Sequence, residues 1–237
     1  TLKSSANMIF VVTLDSKTSE SNVLKGFLTS ESLRMIKLDT SLFMSIRKDE
    51  FAKGQIILYL FGNTEKDLSQ KLTKNKERIQ SLFEKRVRDR TVRRLFKSHE
   101  KSLEKVVQEA HSFQIKIPSG WQQAASEPGF YWMRYLNGSK EQNVFVYYEP
   151  YTNIEIFDQV PEFRDRITKQ FLRDSEKNNL FITRQMRDDL NTVFLKKTQF
   201  KGHYAVESRG LWKINDNSLG GPYISYTFVS EKEQLIY

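Results

Sequence analysis

The chain has 237 residues, enough for one large domain or two small ones, and its 38% hydrophobic and 13% aromatic residues argue against disorder. It contains no cysteine, which excludes disulfides, thiolate metal sites and cysteine nucleophiles. Its net charge of +9 is unevenly distributed, and no apolar run approaches the roughly 18 residues that a membrane-spanning helix needs.

The first sixty residues predict strands with a short helix between them. Met8–Leu14 is almost continuously apolar, which predicts a strand covered on both faces. A helix is expected over Asn22–Leu28, and further strands over Leu33–Ile46 and Gln55–Phe61. The last strand is almost wholly apolar and is therefore predicted to be central, and Gly62 after it is suited to a left-handed turn.

The basic charge is concentrated in a helical segment that follows. Between Leu68 and Ala110 there are thirteen Lys and Arg against six Asp and Glu, so this segment carries +7 of the net charge of +9. Apolar residues keep helical spacing along it. One unbroken helix would be about 65 Å long. Because that length exceeds the width of a compact domain, we expect a break around Arg86–Thr91.

This basic segment has two interpretations. Five arginines, dense enough to bind phosphates, lie within it: Arg86, Arg88, Arg90, Arg93 and Arg94. Acidic residues alternate with the bases at helical spacing, as with Glu100 beside Lys97 and Glu104 beside Lys101. We therefore favour a solvent-exposed, salt-bridged helix and expect no nucleic-acid partner, while contact with an anionic membrane stays open.

The second half predicts an antiparallel sheet with one helix. A strand over Phe113–Ile117 precedes an aromatic hairpin, Phe130–Leu136 with Asn143–Tyr151, and a helix over Phe163–Leu172. The last strands are Val193–Lys197, Tyr204–Ile214, Pro222–Val229 and Gln234–Tyr237. The sequence thus predicts an α+β fold, mostly antiparallel sheet in two halves, 1–111 and 112–237, joined by the long basic helical segment.

The aromatic hairpin could line a groove for a sugar or peptide, but the alternation of its residues favours core. Alternation puts Tyr131 and Trp132 on opposite faces of the strand. Only one face is expected to be core, so the other must be covered by a further element or exposed.

The most specific stretch of the sequence is 207–223. Glu207 and Arg209 lie two residues apart on a predicted strand and share a face, so they can form an ion pair. Asp165 and a backbone carbonyl are the other candidate partners for the arginine. Gly220-Gly221 predicts positive φ at a corner that Trp212 would shield. We interpret the stretch as a device that holds the fold, with a ligand site as the alternative.

The sequence contains no catalytic motif. Of the three histidines, His99 has no second ligand at i+3 or i+4 as a metal site needs, His111 lies near the end of the basic segment, and His203 is interpreted as a strand-edge residue. Neither a Gly-x-Ser-x-Gly elbow nor a phosphate-binding loop occurs. A binding protein is therefore expected rather than an enzyme, and no catalytic residue, cofactor or metal is assigned.

Short motifs from Phe113 onward carry a family resemblance. They are Ile115–Trp121, Phe130–Arg134, Tyr147–Tyr151, Arg164-Asp165, Arg209–Trp212 and Gly220–Tyr223. In this order they resemble a Bacteroidota family of proposed lipoproteins known only as a domain of unknown function, DUF4837. The resemblance implies a lipid-anchored envelope protein facing the periplasm or outer membrane, with its anchor outside this sequence. Phe27–Leu33 departs from the family pattern, so no role is carried over to it.

Three functions are considered. The first is a non-catalytic binding or assembly module whose partner is an envelope protein or a glycan. The second is a hydrolase or carbohydrate-acting enzyme that uses the aromatic hairpin, and the third is a basic-helix binder of nucleic acid or anionic membrane. The candidate surface for a ligand or partner consists of Glu207, Arg209, Trp212, Trp132, Arg164 and Asp165. The abrupt ends of the sequence lead us to expect a fragment of a longer protein.

Overall fold

A computed structural model describes residues 5–39, 41–138, 140–172 and 179–237. The chain divides into two compact units, Thr1–Lys97 and Ser98–Tyr237. Helices accompany mostly antiparallel sheets, which confirms the predicted α+β fold. No helix in the described ranges is long and apolar enough to cross a membrane.

The first unit is a three-stranded sheet with helices on both faces. Its elements are β1 (Asn7–Thr13), α1 (Ser19–Gly26), α2 (Ser30–Leu38), β2 (Met44–Lys48), β3 (Ile56–Gly62), α3 (Glu65–Lys74) and α4 (Lys76–Leu95). The strand order is β1-β3-β2, with β1 parallel and β2 antiparallel to β3. Every residue of β3 is buried, because α1 and α2 pack on one face and α3 and α4 on the other. The prediction of a central strand is thereby confirmed.

Three local predictions for this unit are wrong. The segment predicted as a strand over Leu33–Ile46 begins as helix α2, because the Thr29 hydroxyl accepts a hydrogen bond from the Ser32 N–H at 3.1 Å and caps it. Strand β1 is covered on one face only, since alternate residues such as Ile9 are exposed. Gly62 does not have a positive φ. A Cβ there would lie 2.9 Å from the Leu68 Cβ, so the glycine allows α3 to pack closely against the end of β3.

The basic segment is three helices rather than one, and its breaks are not where we expected. Helix α4 runs without interruption through Arg86–Thr91, which contains no Gly or Pro. The breaks fall at Asn75 and between α4 and α5 (Lys101–Ala110). Helix α5 belongs to the second unit, where Val107 packs against Ile117. The units therefore divide after Lys97, earlier than the boundary that the sequence suggested.

The second unit contains two antiparallel sheets, two α-helices and one 3-10 helix (Ile154–Phe157) in its described part. After α5 come β4 (Gln122–Glu127), β5 (Phe130–Asn137), β6 (Lys140–Tyr147), β7 (Glu149–Pro150), α6 (Val160–Phe171), β8 (Ile182–Arg184), β9 (Val193–Phe200), β10 (His203–Ile214), β11 (Gly220–Ser230) and β12 (Leu235–Ile236). One sheet has the order β4-β5-β6. In the other, β7, β12, β11 and β10 follow one another, and β8 and β9 both pair with β10.

Both faces of β5 are core. On one face Phe130 packs with Phe163 and Ile167 of α6, and on the other Tyr131 packs with Val107 of α5. The residues predicted as a strand at 113–117 are unpaired and help to cover this second face, while β4, which was not among the predicted strands, pairs with β5. The second aromatic row of the hairpin is therefore covered by another element.

Candidate functional site on the C-terminal sheet

Strand β10 is the centre of the C-terminal sheet and carries three of the candidate residues. It pairs with β11 on one side and with β9 along most of the other. Directly paired residues share a face, and successive residues alternate between faces. Glu207, Arg209 and their cross-strand neighbours therefore lie on one face, here called the open face. Ser208, Gly210 and Trp212 lie on the other, the helix face, which packs against α6.

Arg209 and Glu207 form the ion pair that their spacing predicted. Arg209 Nε donates to Glu207 Oε1 at 2.6 Å, and the Tyr226 hydroxyl donates to Glu207 Oε2 at 2.7 Å. The hydrogen bond from Arg209 is the main cause that lowers the pKa of Glu207, and Tyr226 adds to it. Glu207 is only 9% exposed, whereas 62% of the Arg209 side chain is exposed. Glu207 is thus an ionised carboxylate that fixes a positive charge at the surface.

An exposed row crosses three strands beside this ion pair. Phe194 of β9 and Ile224 of β11 lie directly opposite Arg209 on its two sides. The next residue on this face, Leu211, pairs with Pro222. Phe194, Leu211 and Ile224 are 61%, 40% and 52% exposed. Phe194, Arg209, Leu211, Pro222 and Ile224 together are called the open-face patch.

Aromatic rings cover the rest of the open face. Phe200 stacks on Tyr226, with ring centroids 4.9 Å apart, and lies 5.0 Å from Phe228. Phe228 stacks in turn on Tyr237 at 5.2 Å. Ala205, which pairs with Phe228, is fully buried. The open face therefore has one part closed by its own rings and one part, the open-face patch, in contact with solvent.

On the helix face, Tyr223 lies across β10 and meets a buried arginine. The Arg164 guanidinium is 3.7 Å from the centre of the Tyr223 ring. Burial lowers the pKa of Arg164, and its Nη1 has no hydrogen-bond partner among the described residues. The ring fits because position 210 is glycine: a Cβ on Gly210 would lie 2.6 Å from the Thr192 carbonyl oxygen and 2.8 Å from the ring. Arg164 therefore joins α6 to the sheet through a cation–π contact.

An ion cluster attaches the short strand β8 to α6. Asp165 accepts from the Arg184 N–H at 2.9 Å, and its other carboxylate oxygen lies 3.1 Å from Arg184 Nε. Arg184 Nη2 also donates to Glu162 Oε1 at 2.6 Å. Burial raises the pKa of Asp165, while the hydrogen bond from Arg184 lowers the pKa of Glu162. Both carboxylates thus hold β8 against the helix.

The two tryptophans among the candidates lie in different sheets. Trp212 lies on the helix face, paired with Gly221 on β11. Trp132 is in β5, where its indole Nε1 donates to Asn143 Oδ1 at 2.8 Å. The six candidates thus occupy three places: Glu207 and Arg209 on the open face, Arg164, Asp165 and Trp212 at the helix face, and Trp132 in the other sheet.

Comparison with known families separates the chain at the same place as its two units. Residues 100–237, more than half of the chain, match the family model "Domain of unknown function (DUF4837)". The chain belongs to the DUF4837 family. Residues 6–96 match a second model, "Domain of unknown function (DUF8532)". Searches of curated proteins and of solved structures found no match.

The Gly-Gly-Pro motif of the DUF4837 domain is not a turn, and the prediction of positive φ there is wrong. Gly220 and Gly221 already belong to β11. A Cβ on Gly221 would lie 3.1 Å from Trp212 Nε1, and one on Gly220 would lie 2.8 Å from the Trp212 carbonyl oxygen. The turn comes earlier, where Asn217 has a φ of 62°. The glycines are required by the close approach of Trp212.

Two of the histidines, His99 and His111, make side-chain hydrogen bonds within the second unit. His111 Nε2 lies 2.9 Å from Ser126 Oγ, and burial lowers the pKa of His111. His99 Nδ1 lies 2.9 Å from Glu104 Oε1, which also accepts from the Ile117 N–H at 2.8 Å. Within the described ranges, no group of three or more metal-ligating side chains is close enough to hold an ion.

The sequence missed the apolar members of the open-face patch. Alternation along β9 puts Phe194 on the same face as Lys196, and this signal was available. The sequence pattern does not reveal the strand register, which places Phe194 and Ile224 on either side of Arg209. It also does not reveal which face of the sheet α6 covers.

Proposed function

We propose that this DUF4837 protein is a non-catalytic binding or assembly module of the cell envelope, and that its partner docks on the open-face patch. One observation carries the proposal: apolar side chains from three strands are exposed in register around a fixed arginine. Single exposed apolar side chains are ordinary on a protein surface. A contiguous exposed apolar set is typical of an interaction site, and aromatic residues and arginine are enriched at protein interfaces.

The partner that fits is an envelope protein with an apolar segment and a carboxylate. Full burial of Phe194, Leu211 or Ile224 would stabilise a complex by about 1.5–3 kcal/mol each, and their present exposure leaves roughly half of that available. Arg209 is anchored by Glu207 and presents a positive charge between Phe194 and Ile224. An acidic group on the partner would complement it. A glycan fits less well, because the exposed part of this face offers one aromatic ring among aliphatic side chains.

The state of Glu207 favours binding over catalysis. A general acid must hold a proton near neutral pH, and the hydrogen bond from Arg209 keeps the pKa of Glu207 below its ordinary value. Both of its oxygens already accept hydrogen bonds, from Arg209 and Tyr226. Glu207 therefore acts as a support for the arginine.

The proposed location is the cell envelope. It is supported by the likeness of several C-terminal motifs to a family of proposed Bacteroidota lipoproteins. A lipid anchor on the full-length protein would place the open-face patch beside other envelope proteins.

The test is recovery of partners from the envelope fraction with the full-length protein. Phe194→Ser with Ile224→Ser removes the apolar patch, and Leu136→Ser with Val144→Ser is the matched control on the exposed β5–β6 hairpin. We expect the patch variant to lose a cross-linked envelope partner that the wild type and the control retain, while all three melt alike. Equal recovery by both variants, or fractionation of the wild type with the cytosol, would contradict the proposal.

A further inference from the structure

The C-terminal half of α4 presents a strongly basic surface. From Lys85 to Leu95 it contains six basic residues and one acid, Asp89, which is half-buried. No side chain of the whole 20-residue helix is buried. At 100° per residue, six exposed side chains span half of its circumference. They are Lys85, Val87, Arg88, Val92, Arg94 and Leu95, here called the basic arc.

The expected salt bridges do not neutralise this surface. Glu100 accepts from the Gly120 N–H at 2.7 Å, and Glu104 accepts from the Ile117 N–H, so both serve the 117–120 segment instead of nearby lysines. Among the residues that the structure describes, no basic side chain of the arc is within ion-pair distance of a carboxylate. The prediction of a salt-bridged helix is therefore wrong for α4, although Lys105–Glu109 on α5 does form such a pair at 3.7 Å.

Aliphatic side chains separate the charges of the arc. Val87, Val92 and Leu95 are 47%, 46% and 45% exposed. Next to a phosphate backbone in water these side chains would gain little, because nucleic acid is recognised through phosphates, base edges and stacking. At a lipid surface they enter the boundary between headgroups and acyl chains while the guanidinium groups contact phosphates. The mixture of basic and aliphatic side chains thus favours a lipid surface over nucleic acid as the anionic partner.

We propose that the basic arc of α4 binds the surface of an anionic phospholipid bilayer, with the helix lying in the plane of the interface. Charge complementarity supplies the attraction, and the three aliphatic side chains supply shallow penetration. The arc lies in the first compact unit, and its test is independent of the open-face patch.

The experiment is co-sedimentation with vesicles of phosphatidylcholine that contain about one-third phosphatidylglycerol, compared with pure phosphatidylcholine. Lys85→Gln, Arg88→Gln and Arg94→Gln together remove three charges while keeping good helix formers. Each basic side chain near such a surface contributes roughly fivefold in binding, so we expect a loss on the order of a hundredfold. The matched control removes three exposed lysines elsewhere: Lys37→Gln, Lys66→Gln and Lys101→Gln.

A second variant separates lipid binding from phosphate binding. Val87→Ser, Val92→Ser and Leu95→Ser together leave every charge in place, and we expect them to weaken vesicle binding about equally at low and high salt, because penetration is not screened. Circular dichroism checks that both arc variants keep their helix. Absent vesicle binding, or equal weakening by the arc and control variants, would overturn the proposal. So would tighter retention on duplex DNA that the serine variant leaves unchanged.

Discussion

Gly210→Ala tests whether the packing of Tyr223 across β10 depends on the missing side chain. The new Cβ would lie 2.6 Å from the Thr192 carbonyl oxygen and 2.8 Å from the Tyr223 ring. Ordinary contact begins near 3.4 Å, so both neighbours must move, and Arg164 stacks on the same ring. Overpacking of this kind costs about 1–3 kcal/mol. For a protein of this size that corresponds to a fall in melting temperature of roughly 2–12 °C.

The measurement is the free energy of unfolding from urea titration, with thermal melting beside it. Gly26→Ala is the control, because nothing lies within 4 Å of a Cβ there, and we expect it to be neutral or slightly stabilising. The double variant Gly210→Ala with Tyr223→Ala should lose less free energy of unfolding than the two single variants lose together. In the double variant the clash with the ring is gone, and only the clash with the Thr192 carbonyl oxygen remains. A Gly210→Ala protein as stable as the wild type would refute this account.

Three further predictions concern titratable and buried groups. Folding lowers the pKa of Glu207 below its ordinary value of 4.5, so in acid the unfolded chain binds more protons than the folded protein. The free energy of unfolding should therefore fall as the pH drops below that value. Glu207→Gln should make this free energy depend less on pH in urea titrations from pH 6 to 3. Burial likewise lowers the pKa of His111 below 6.5, so the free energy of unfolding should decrease as the pH falls from about 7 to 5. If the same decrease persists in His111→Gln, this account is contradicted. Arg164→Met should change the free energy of unfolding by less than about 1 kcal/mol, because methionine fills much of the same space without a buried charge. Arg164→Ala should lower it by about 2–4 kcal/mol, because it leaves a cavity. Equal losses in the two variants would show that the charge itself matters.

The candidate site was only partly visible in the sequence. The ion pair of Glu207 with Arg209 followed from two-residue spacing on a strand, which is a local property. The division of the other candidates did not follow, because it depends on which face of β10 packs against α6. Trp132 belongs to a different sheet from Trp212, and no spacing along the chain records that separation.

Local pattern by itself determined the buried central strand β3, the helix α6 and the final strands β9 to β11. In each case neighbouring residues supply both the period and the end signals. Tertiary structure alone decided where the unit boundary lies and which sheet face stays open. The open-face patch shows the reason most clearly. Phe194, Arg209 and Ile224 become neighbours only through strand register, which joins positions far apart in the chain.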